Sequence, residues 1–562
     1  MTPPARPPIP SWLAVILGAG GGVVYDGAFP ALGLWPLAFL GLALMLIAVI
    51  GRSVGGAVLV GFCSGLAFYL TQVSWTALYL GPIPWLALSV FESLFFALCA
   101  VAIALAYRWL PRSFPTALGR LGVLPVVVAG LWTGREWLTG NWPYGGFAWG
   151  RAALSQSESP LAHLVAWFGI AGVTFLMVWL VALALECVRY RRRSAVLNSP
   201  SRTWKTAVGA FFMKTSTSTT TPFSEESFSG STIRPSTGRL DAAARRPEIR
   251  AAIALIAIAL VLAVPVWPAT TAGTWRVGAV QGNGPAGYFE PHQVGDVMNA
   301  QIKATLPILD EKPDVVVWPE GSADIDPTRD RTSAQVLDNL SERLGSPMIV
   351  GTITHRHGKY FNTSLLWKAG KGAVAYYDKR HPVPFGEYVP DRAFWTPFAP
   401  DLLGLIQRDY TPGTRPNVFD VNGVKAGISI CFDIVDDQLT TDMMTGGAQI
   451  IIAQTNNADF GTTKENVQQL AIARLRAIET ARSLVNISTV GTSQIIDPDG
   501  RTIVGLRAYK AGAMVADVPL GTSTTPATLL SRAFEVLVAG LGLGGLVIAG
   551  VTARRDPRRA TS

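Results

Sequence analysis

The sequence predicts a multi-pass α-helical membrane bundle of about eight spans that carries an α/β domain outside the membrane. Three observations predict it. Hydrophobic residues make up 49% of the 562 residues, charged residues only 15%, and the mean hydropathy is +0.32, too apolar for an ordinary soluble protein. The apolar residues fall in runs of about 20, the length that crosses a bilayer. Residues 273–520, by contrast, alternate strand-like and helix-like patterns, the signature of an α/β fold with buried sheets.

The bundle comes first, over 1–188. Six spans are expected near 10–27, 31–50, 54–76, 84–108, 120–138 and 162–188. Gly and Pro punctuate the turns, as at Gly81-Pro82-Ile83-Pro84, and Trp and Tyr gather near the span ends, where their amphipathic rings suit the interface. The first run has no clear small-residue cleavage site, so it reads as a retained span rather than a signal peptide. A seventh span is expected at 251–268 and an eighth at 529–552.

Basic residues set the expected orientation. With the N-terminus in the cytoplasm, the inside segments are 51–53, 109–119, 189–250 and 553–562. They hold or adjoin Arg52, Arg108 to Arg120, Arg189, Arg191-Arg192-Arg193, Arg554-Arg555 and Arg558-Arg559, as the positive-inside rule requires. This placement accounts for the net charge of +9 without a nucleic-acid partner. The segment 189–250 is basic and rich in Ser and Thr, as at Thr215-Ser216-Thr217-Ser218-Thr219-Thr220-Thr221. It reads as a disordered cytoplasmic linker, and 553–562 as a basic cytoplasmic tail. Two sites in or near the spans are ionisable. Arg135-Glu136 is expected at the headgroup level as an anchor, and Glu92 stays open between structure and function.

In the outer domain, strands are expected at Trp275–Gln281, Asp314–Trp318, Met348–Thr352, Leu365–Trp367, Gly427–Ile430, Gln449–Ala453, Leu484–Thr489 and Gln494–Asp497. Helices are expected near 291–309, 333–344, 436–445 and 464–482. No GxGxxG, P-loop or metal-spaced His/Cys cluster is present. His355-Arg356-His357, followed by Gly358, reads as a hairpin turn rather than a metal site. Four cysteines, three of them in membrane-like runs, make no disulfide framework.

The fourth cysteine, Cys431, ends the strand Gly427-Ile428-Ser429-Ile430 and precedes Phe432-Asp433. Alone, it reads as a small buried hydrophobe. A nucleophilic role needs a base and a cation beside it. Both residue types are available in the same domain. Val315-Val316-Val317-Trp318-Pro319-Glu320 runs a buried strand into a glutamate. Lys379 lies eight residues before Glu387, in the Pro-rich stretch His381-Pro382-Val383-Pro384-Phe385-Gly386-Glu387-Tyr388-Val389-Pro390. In open α/β sheets functional groups collect at the carboxyl ends of strands, where Glu320 and Cys431 both sit. A carboxylate can take a thiol's proton. An ammonium can lower the thiol pKa and face an oxyanion, and Glu387 can orient that ammonium.

These stretches, in the order Glu, Lys, Cys, resemble the nitrilase (carbon–nitrogen hydrolase) superfamily. Val280-Gln281-Gly282-Asn283, Trp318-Pro319-Glu320, Val383 to Pro390 and Asn457-Ala458-Asp459-Phe460-Gly461, within an eight-span frame, resemble the apolipoprotein N-acyltransferase family. So do Glu136-Trp137, Gly146-Phe147-Ala148-Trp149 and Arg474-Leu475-Arg476-Ala477. The resemblance implies a nitrilase-like αββα sandwich on the extracytoplasmic side of a bacterial cell membrane. It implies Glu320 as base, Lys379 as oxyanion stabiliser and Cys431 as nucleophile, with Glu387, Phe432 and Asp433 in support. The implied substrates are a membrane phospholipid as acyl donor and a diacylglyceryl-modified apolipoprotein as acceptor. No metal or organic cofactor is implied, and a monomer is expected.

The sequence departs from the family at several points. Cys431-Phe432-Asp433 replaces the usual Cys-Tyr-Glu. Asn456-Asn457-Ala458-Asp459-Phe460-Gly461 replaces Asn-Asp-Ala-Trp-Phe-Gly. Tyr288 and Phe289 stand near the place of a common tryptophan, and Pro382 replaces a leucine. The apolar stretch Phe394, Trp395, Phe398, Leu402, Leu403, Leu405 and Ile406 is expected as a lipid-facing loop beside the site. Two other readings share these residues: a membrane-tethered amidase or nitrilase acting on a small amide or nitrile, and a non-catalytic lipoprotein-binding paralogue.

Overall fold

The computed structural model describes residues 9–197, 239–244 and 246–555. A helix occupies each of the eight apolar runs. In the bundle these are α1 (Ser11–Asp26), α2 (Pro36–Val49), α3 (Val54–Gln72), α5 (Pro82–Ser113), α6 (Leu124–Asn141) and α7 (Val165–Leu197), with the short α4 (Thr76–Leu80) between α3 and α5. After α8 (Arg239–Ala244) comes α9 (Pro247–Leu262), and α16 (Pro526–Arg555) ends the described chain. Among the described residues four helical segments are long and apolar enough to cross a membrane: Val54–Gln72, Pro82–Ser113, Ala162–Tyr190 and Arg532–Arg554. The helices α1 and α2 are apolar but short, at 16 and 14 residues.

One expectation for this half needs correction. Helix reaches into both ends of the segment read as an irregular linker, because α7 runs on to Leu197 and α8 and α9 begin before residue 251. The rest of that segment, 198–238, lies outside the described residues, as do 556–562 of the tail. Arg135 and Glu136 lie inside the helix packing. Both are buried, and the Arg135 guanidinium lies 4.0 Å from the Phe96 ring centroid and 4.8 Å from that of Trp132. Glu136 Oε1 accepts from Arg135, Trp132 and the Ala152 N–H, and Oε2 accepts from Thr174. Four donors on one carboxylate replace the water it left, which is what lets the pair sit inside the bundle.

Close helix approach explains the small residues. A Cβ on Gly130 of α6 would lie 2.4 Å from the Val538 carbonyl of α16, and one on Gly542 would lie 2.4 Å from Gly130. The two backbones touch there, the usual solution where no hydrophobic effect drives helices together.

The second half is a four-layer sandwich. Its strands are β1 (Thr271–Gln281), β2 (Val315–Val317), β3 (Met348–Arg356), β4 (Lys359–Lys368), β5 (Gly372–Asp378), β6 (Val418–Val421), β7 (Val424–Ile430), β8 (Ile450–Thr455), β9 (Ser483–Ser488), β10 (Gln494–Ile496), β11 (Thr502–Gly505) and β12 (Gly512–Gly521). One sheet has the order β12-β1-β2-β3-β4-β5, the other β11-β10-β9-β8-β7-β6. Each has three parallel strands at its centre, β1-β2-β3 and β7-β8-β9, with antiparallel neighbours outside. Their inner faces meet through Val277, Val315, Ile349, Ile428, Ile452 and Val485. Two helices, α10 (Asp296–Thr305) and α11 (Arg331–Leu344), cover the first sheet's outer face through Met298, Leu337 and Leu340. The short helices α12 (Arg392–Trp395) and α13 (Pro400–Gly404) lie in the loop between β5 and β6. The second sheet is covered by α14 (Asp437–Thr445) and α15 (Glu465–Thr480), and these also pack on the bundle, so Leu475 and Ile451 share one core with Phe68 and Trp149. The expected hairpin lies at His357-Gly358, both with positive φ. Strands β5, β6, β11 and β12 were not expected. They are sheet edges or outer strands with mixed burial, so they lack both a continuous apolar run and strict alternation.

Candidate functional site

Each expected catalytic residue sits just past the carboxyl end of a strand. Three buried valines form β2, and the chain then turns at Trp318-Pro319 to place Glu320, 7% exposed, at the sandwich mouth. Trp318 is fixed by its own Nε1–H, donated to Thr305, and by Gln454, which donates to the Trp318 carbonyl. Lys379 follows β5, and its N–H donates to the Asn362 carbonyl of β4.

Lys379 Nζ lies 3.3 Å from Glu320 Oε1 and 2.8 Å from Glu387 Oε2. One side chain bridges the two carboxylates on the other side: Asn362 Nδ2 donates to Glu320 Oε1 at 2.7 Å and to Glu387 Oε1 at 3.0 Å. The Val383 N–H completes the hold on Glu387 Oε2, at 2.7 Å. Burial alone would push Lys379 down, but Glu320 and Glu387 outweigh it and hold its pKa well above the usual lysine value. Burial raises Glu320 above the usual glutamate value, against the pull of Lys379.

Cys431 ends β7, the strand between β6 and β8, and opens a 3-10 turn, Cys431–Val435. Its φ is 50°, a left-handed conformation that costs a non-glycine residue roughly 1–3 kcal/mol and is typical of functional turns. Cys431 as a residue is half-buried. Burial pushes it well above its usual pKa, Glu320 adds to this, and Lys379 opposes both. A resting thiol of this kind is neutral and needs a base at the moment of attack. The same interactions show that Glu320, Lys379 and Cys431 sit within one electrostatic site.

The turn is fastened on three sides. Asp433, 1% exposed, accepts the Tyr377 hydroxyl at 2.7 Å and the N–H groups of Arg380 and His381 at 3.3 and 3.0 Å. This ties the Cys431 turn to the start of the lysine loop. The Phe432 ring lies almost parallel to Phe147 and Trp149, with centroids 6.1 and 6.2 Å away. Two guanidiniums then grip the end of the turn. Arg151 Nη2 donates to the Val435 carbonyl, while Arg476 donates to the carbonyls of Ile434 and Val435. Both pair with Asp437, at 2.6 Å each. Burial pushes Asp437 up, but Arg151 and Arg476 hold it well below the usual aspartate value.

The apolar loop after Pro390 divides. Phe394 and Phe398 are 59% and 73% exposed, while Trp395 and Leu402 are half-buried. Leu403 does not face outward as expected. At 5% exposure it packs on Leu80, Val389 and Ile406, because α13 is amphipathic on a single turn and turns this residue inward.

Sequence reasoning missed Asn362 and Gln469. Gln469 Nε2 donates to Cys431 Sγ at 3.6 Å. A polar residue inside a buried strand, Phe361-Asn362-Thr363-Ser364, was a usable signal for the first. Nothing local marks Gln469. Among the described residues no group of three His, Cys, Asp or Glu side chains is arranged to hold a metal ion.

Two family models match this chain: the apolipoprotein N-acyltransferase N-terminal domain over residues 21–183, and carbon–nitrogen hydrolase over residues 276–525. An apolipoprotein N-acyltransferase of Mycolicibacterium smegmatis is 31% identical over 52% of this chain and 53% of its own length. One from Shewanella oneidensis is 25% identical over 77% of this chain and 74% of its own length. Thus the chain spans about half the length of the first relative and three quarters of the second. Among solved structures, an amidase from Nesterenkonia sp. is 15% identical, with a TM-score of 0.35, over 49% of this chain and 98% of that one.

Proposed function

Because the chain belongs to the apolipoprotein N-acyltransferase family of carbon–nitrogen hydrolases, we propose that it acylates lipoproteins in a bacterial cell membrane. The acyl chain leaves a membrane phospholipid, passes through a thioester on Cys431, and ends on the N-terminal amine of a diacylglyceryl-cysteine. The observation that carries this reading is the convergence of Glu320, Lys379 and Cys431 from three separate strand ends.

Glu320 takes the Cys431 proton as sulfur attacks the ester carbonyl. The oxyanion faces Lys379 Nζ, two of whose three donors are engaged by Glu320 and Glu387. Collapse breaks the ester C–O bond, and Glu320 returns the proton to the departing lysophospholipid oxygen. In the second half-reaction the amine attacks the thioester and Glu320 accepts its proton. The C–S bond breaks, the sulfur recovers the proton, and the amide leaves. Each step uses side chains of this chain, so the reading includes no cofactor.

In this reading all eight helices in the apolar runs span the membrane, and the sandwich faces the extracytoplasmic side as a monomer. Exposed Phe394 and Phe398 dip into the outer leaflet, the source of the donor. The half-buried Trp395 and Leu402 back them.

Purified enzyme incubated with acyl-labelled phospholipid and a diacylglyceryl-peptide tests this. The label is expected on the peptide amine, and Cys431→Ser is expected to abolish transfer. Release of free labelled acid with no amide product would contradict the reading, as would full transfer by Cys431→Ser.

A further inference from the structure

Cys431 Sγ has a donor beside it whose direction is fixed by a chain of hydrogen bonds. Amide side chains have two nearly isosteric ends, one that donates and one that accepts. At a thiolate the difference matters, because an amide oxygen repels the charge that an amide N–H stabilises. The orientation of Gln469 can be read from its neighbours. The Gly491 N–H donates to Ser488 Oγ at 3.1 Å. The Ser488 hydroxyl donates its single proton to Asn457 Oδ1, at 2.6 Å. Thr455 donates to the same oxygen at 3.3 Å.

With its oxygen fixed, Asn457 points Nδ2 the other way. That nitrogen donates to Glu465 Oε2 at 2.7 Å and to Gln469 Oε1 at 2.9 Å. The end of Gln469 that faces a donor must be the acceptor, so Nε2 is turned to Cys431 Sγ. The network is closed off from water: Asn457, Glu465 and Gln469 are 1%, 2% and 2% exposed. It is also tight. A Cβ on Gly491 would come within 2.5 Å of Asn457 Oδ1, so the turn that fixes the network requires glycine.

We propose that Gln469 is a further catalytic residue, a hydrogen-bond donor to the Cys431 sulfur, with Asn457 and Glu465 as the positioning residues that hold its amide in the donor orientation. The N–H stabilises the sulfur as Glu320 removes its proton and again as the sulfur leaves the thioester. No atom passes to Gln469. Burial pushes Glu465 up to about 8, which suits a neutral carboxyl that accepts from Asn457 without adding negative charge near the thiol. The assignment rests on Cys431 being the nucleophile, as proposed above.

The test uses the full-length chain in detergent micelles and iodoacetamide as the probe, with a thermal midpoint recorded for every variant. Gln469→Met removes the donor and keeps the volume. It is expected to slow Cys431 alkylation at least about tenfold at fixed pH, the worth of one hydrogen bond to a charged group, and to displace the pH profile upward. Asn457→Asp sets an acceptor against Gln469 Oε1, turns the amide, and is expected to slow alkylation in the same direction. Gln469→His, which keeps an N–H donor, is expected to stay close to the parent. Parent-like rates and pH profiles for Gln469→Met and Asn457→Asp overturn the proposal, as does equal slowing by all three variants. Should Gln469→Met fail to fold, the other two decide. Alkylation needs neither lipid nor lipoprotein, so this outcome is read separately from the acyl-transfer reading.

Discussion

The nucleophile turn and the outer lysine loop border the same site but are held by different means. The turn from Cys431 to Asp437 is fixed largely by buried groups: Asp433 under the Arg380 and His381 N–H groups, half-buried Phe432 beside bundle aromatics, and two guanidiniums on its last carbonyls. The outer loop is held at its surface. Arg392 pairs with Asp409, their side chains 36% and 48% exposed, and Tyr144 reaches Asp391 in the open. Buried charge pairs in low dielectric hold geometry tightly, whereas exposed ones contribute little and exchange readily with water. Chemistry that tolerates small errors poorly sits on the first kind of support. In the proposed function, the rim that admits two bulky lipid substrates sits on the second.

The fastening of the turn has a further consequence. Phe147, Trp149 and Arg151 belong to the loop after α6, so three contacts on the nucleophile turn come from the membrane bundle. Trp149 and Trp75 both donate to Gln468, one residue from Gln469. The bundle is thus part of the scaffold of the candidate site.

The contrast can be broken at several points. The largest effect is expected at the charge centre. Lys379→Met should slow acyl-enzyme formation by roughly a thousandfold, the scale for losing one oxyanion donor, measured by single-turnover transfer from labelled phospholipid. Next comes pH. Glu320 acts when ionised, and its pKa is raised, so activity should fall on acidification with a limb above the ordinary glutamate range. A kcat/KM profile checks this, and Glu320→Gln should remove activity at every pH.

Arg151→Met should cost about 3 kcal/mol of stability by leaving part of a buried ion network unpaired, read from thermal or denaturant unfolding. Because the residue lies in the bundle loop and not at the sulfur, kcat should fall more than the donor's KM rises. Arg392→Ala sharpens the comparison from the other side. Its exposed pair should cost no more than about 1 kcal/mol, and the change should appear in KM for the donor while single-turnover chemistry is retained. A larger loss from Arg392→Ala than from Arg151→Met would reverse the contrast.

What the sequence made legible follows the same division. The strands before Glu320 and Cys431 were readable, because β2 is an apolar run buried throughout and β7 is buried from Ala426 to Ile430, whereas β5, before Lys379, was not. Glu320, Lys379, Glu387 and Cys431 were readable too, each marked by its local stretch. Contacts across distant segments were not. Phe432 stood out only as a departure from a family pattern, and its partners lie some 280 residues earlier. Gln469 is one polar residue in an amphipathic helix, and only the fold brings it to the sulfur. Leu403 was misplaced because an apolar loop does not reveal which of its side chains turns inward. The burial of Arg135 and Glu136 among helices was not legible either, because their partners come from distant segments. Only the packed bundle supplies the donors that allow their burial.

The most direct test of the account is intact-protein mass spectrometry after incubation with phospholipid and no acceptor. A stoichiometric mass increase of one acyl chain, mapped to Cys431, lost with hydroxylamine and absent in Cys431→Ala, is the predicted result. Lysophospholipid formed with no adduct on Cys431, or an adduct that persists in Cys431→Ala, would contradict it.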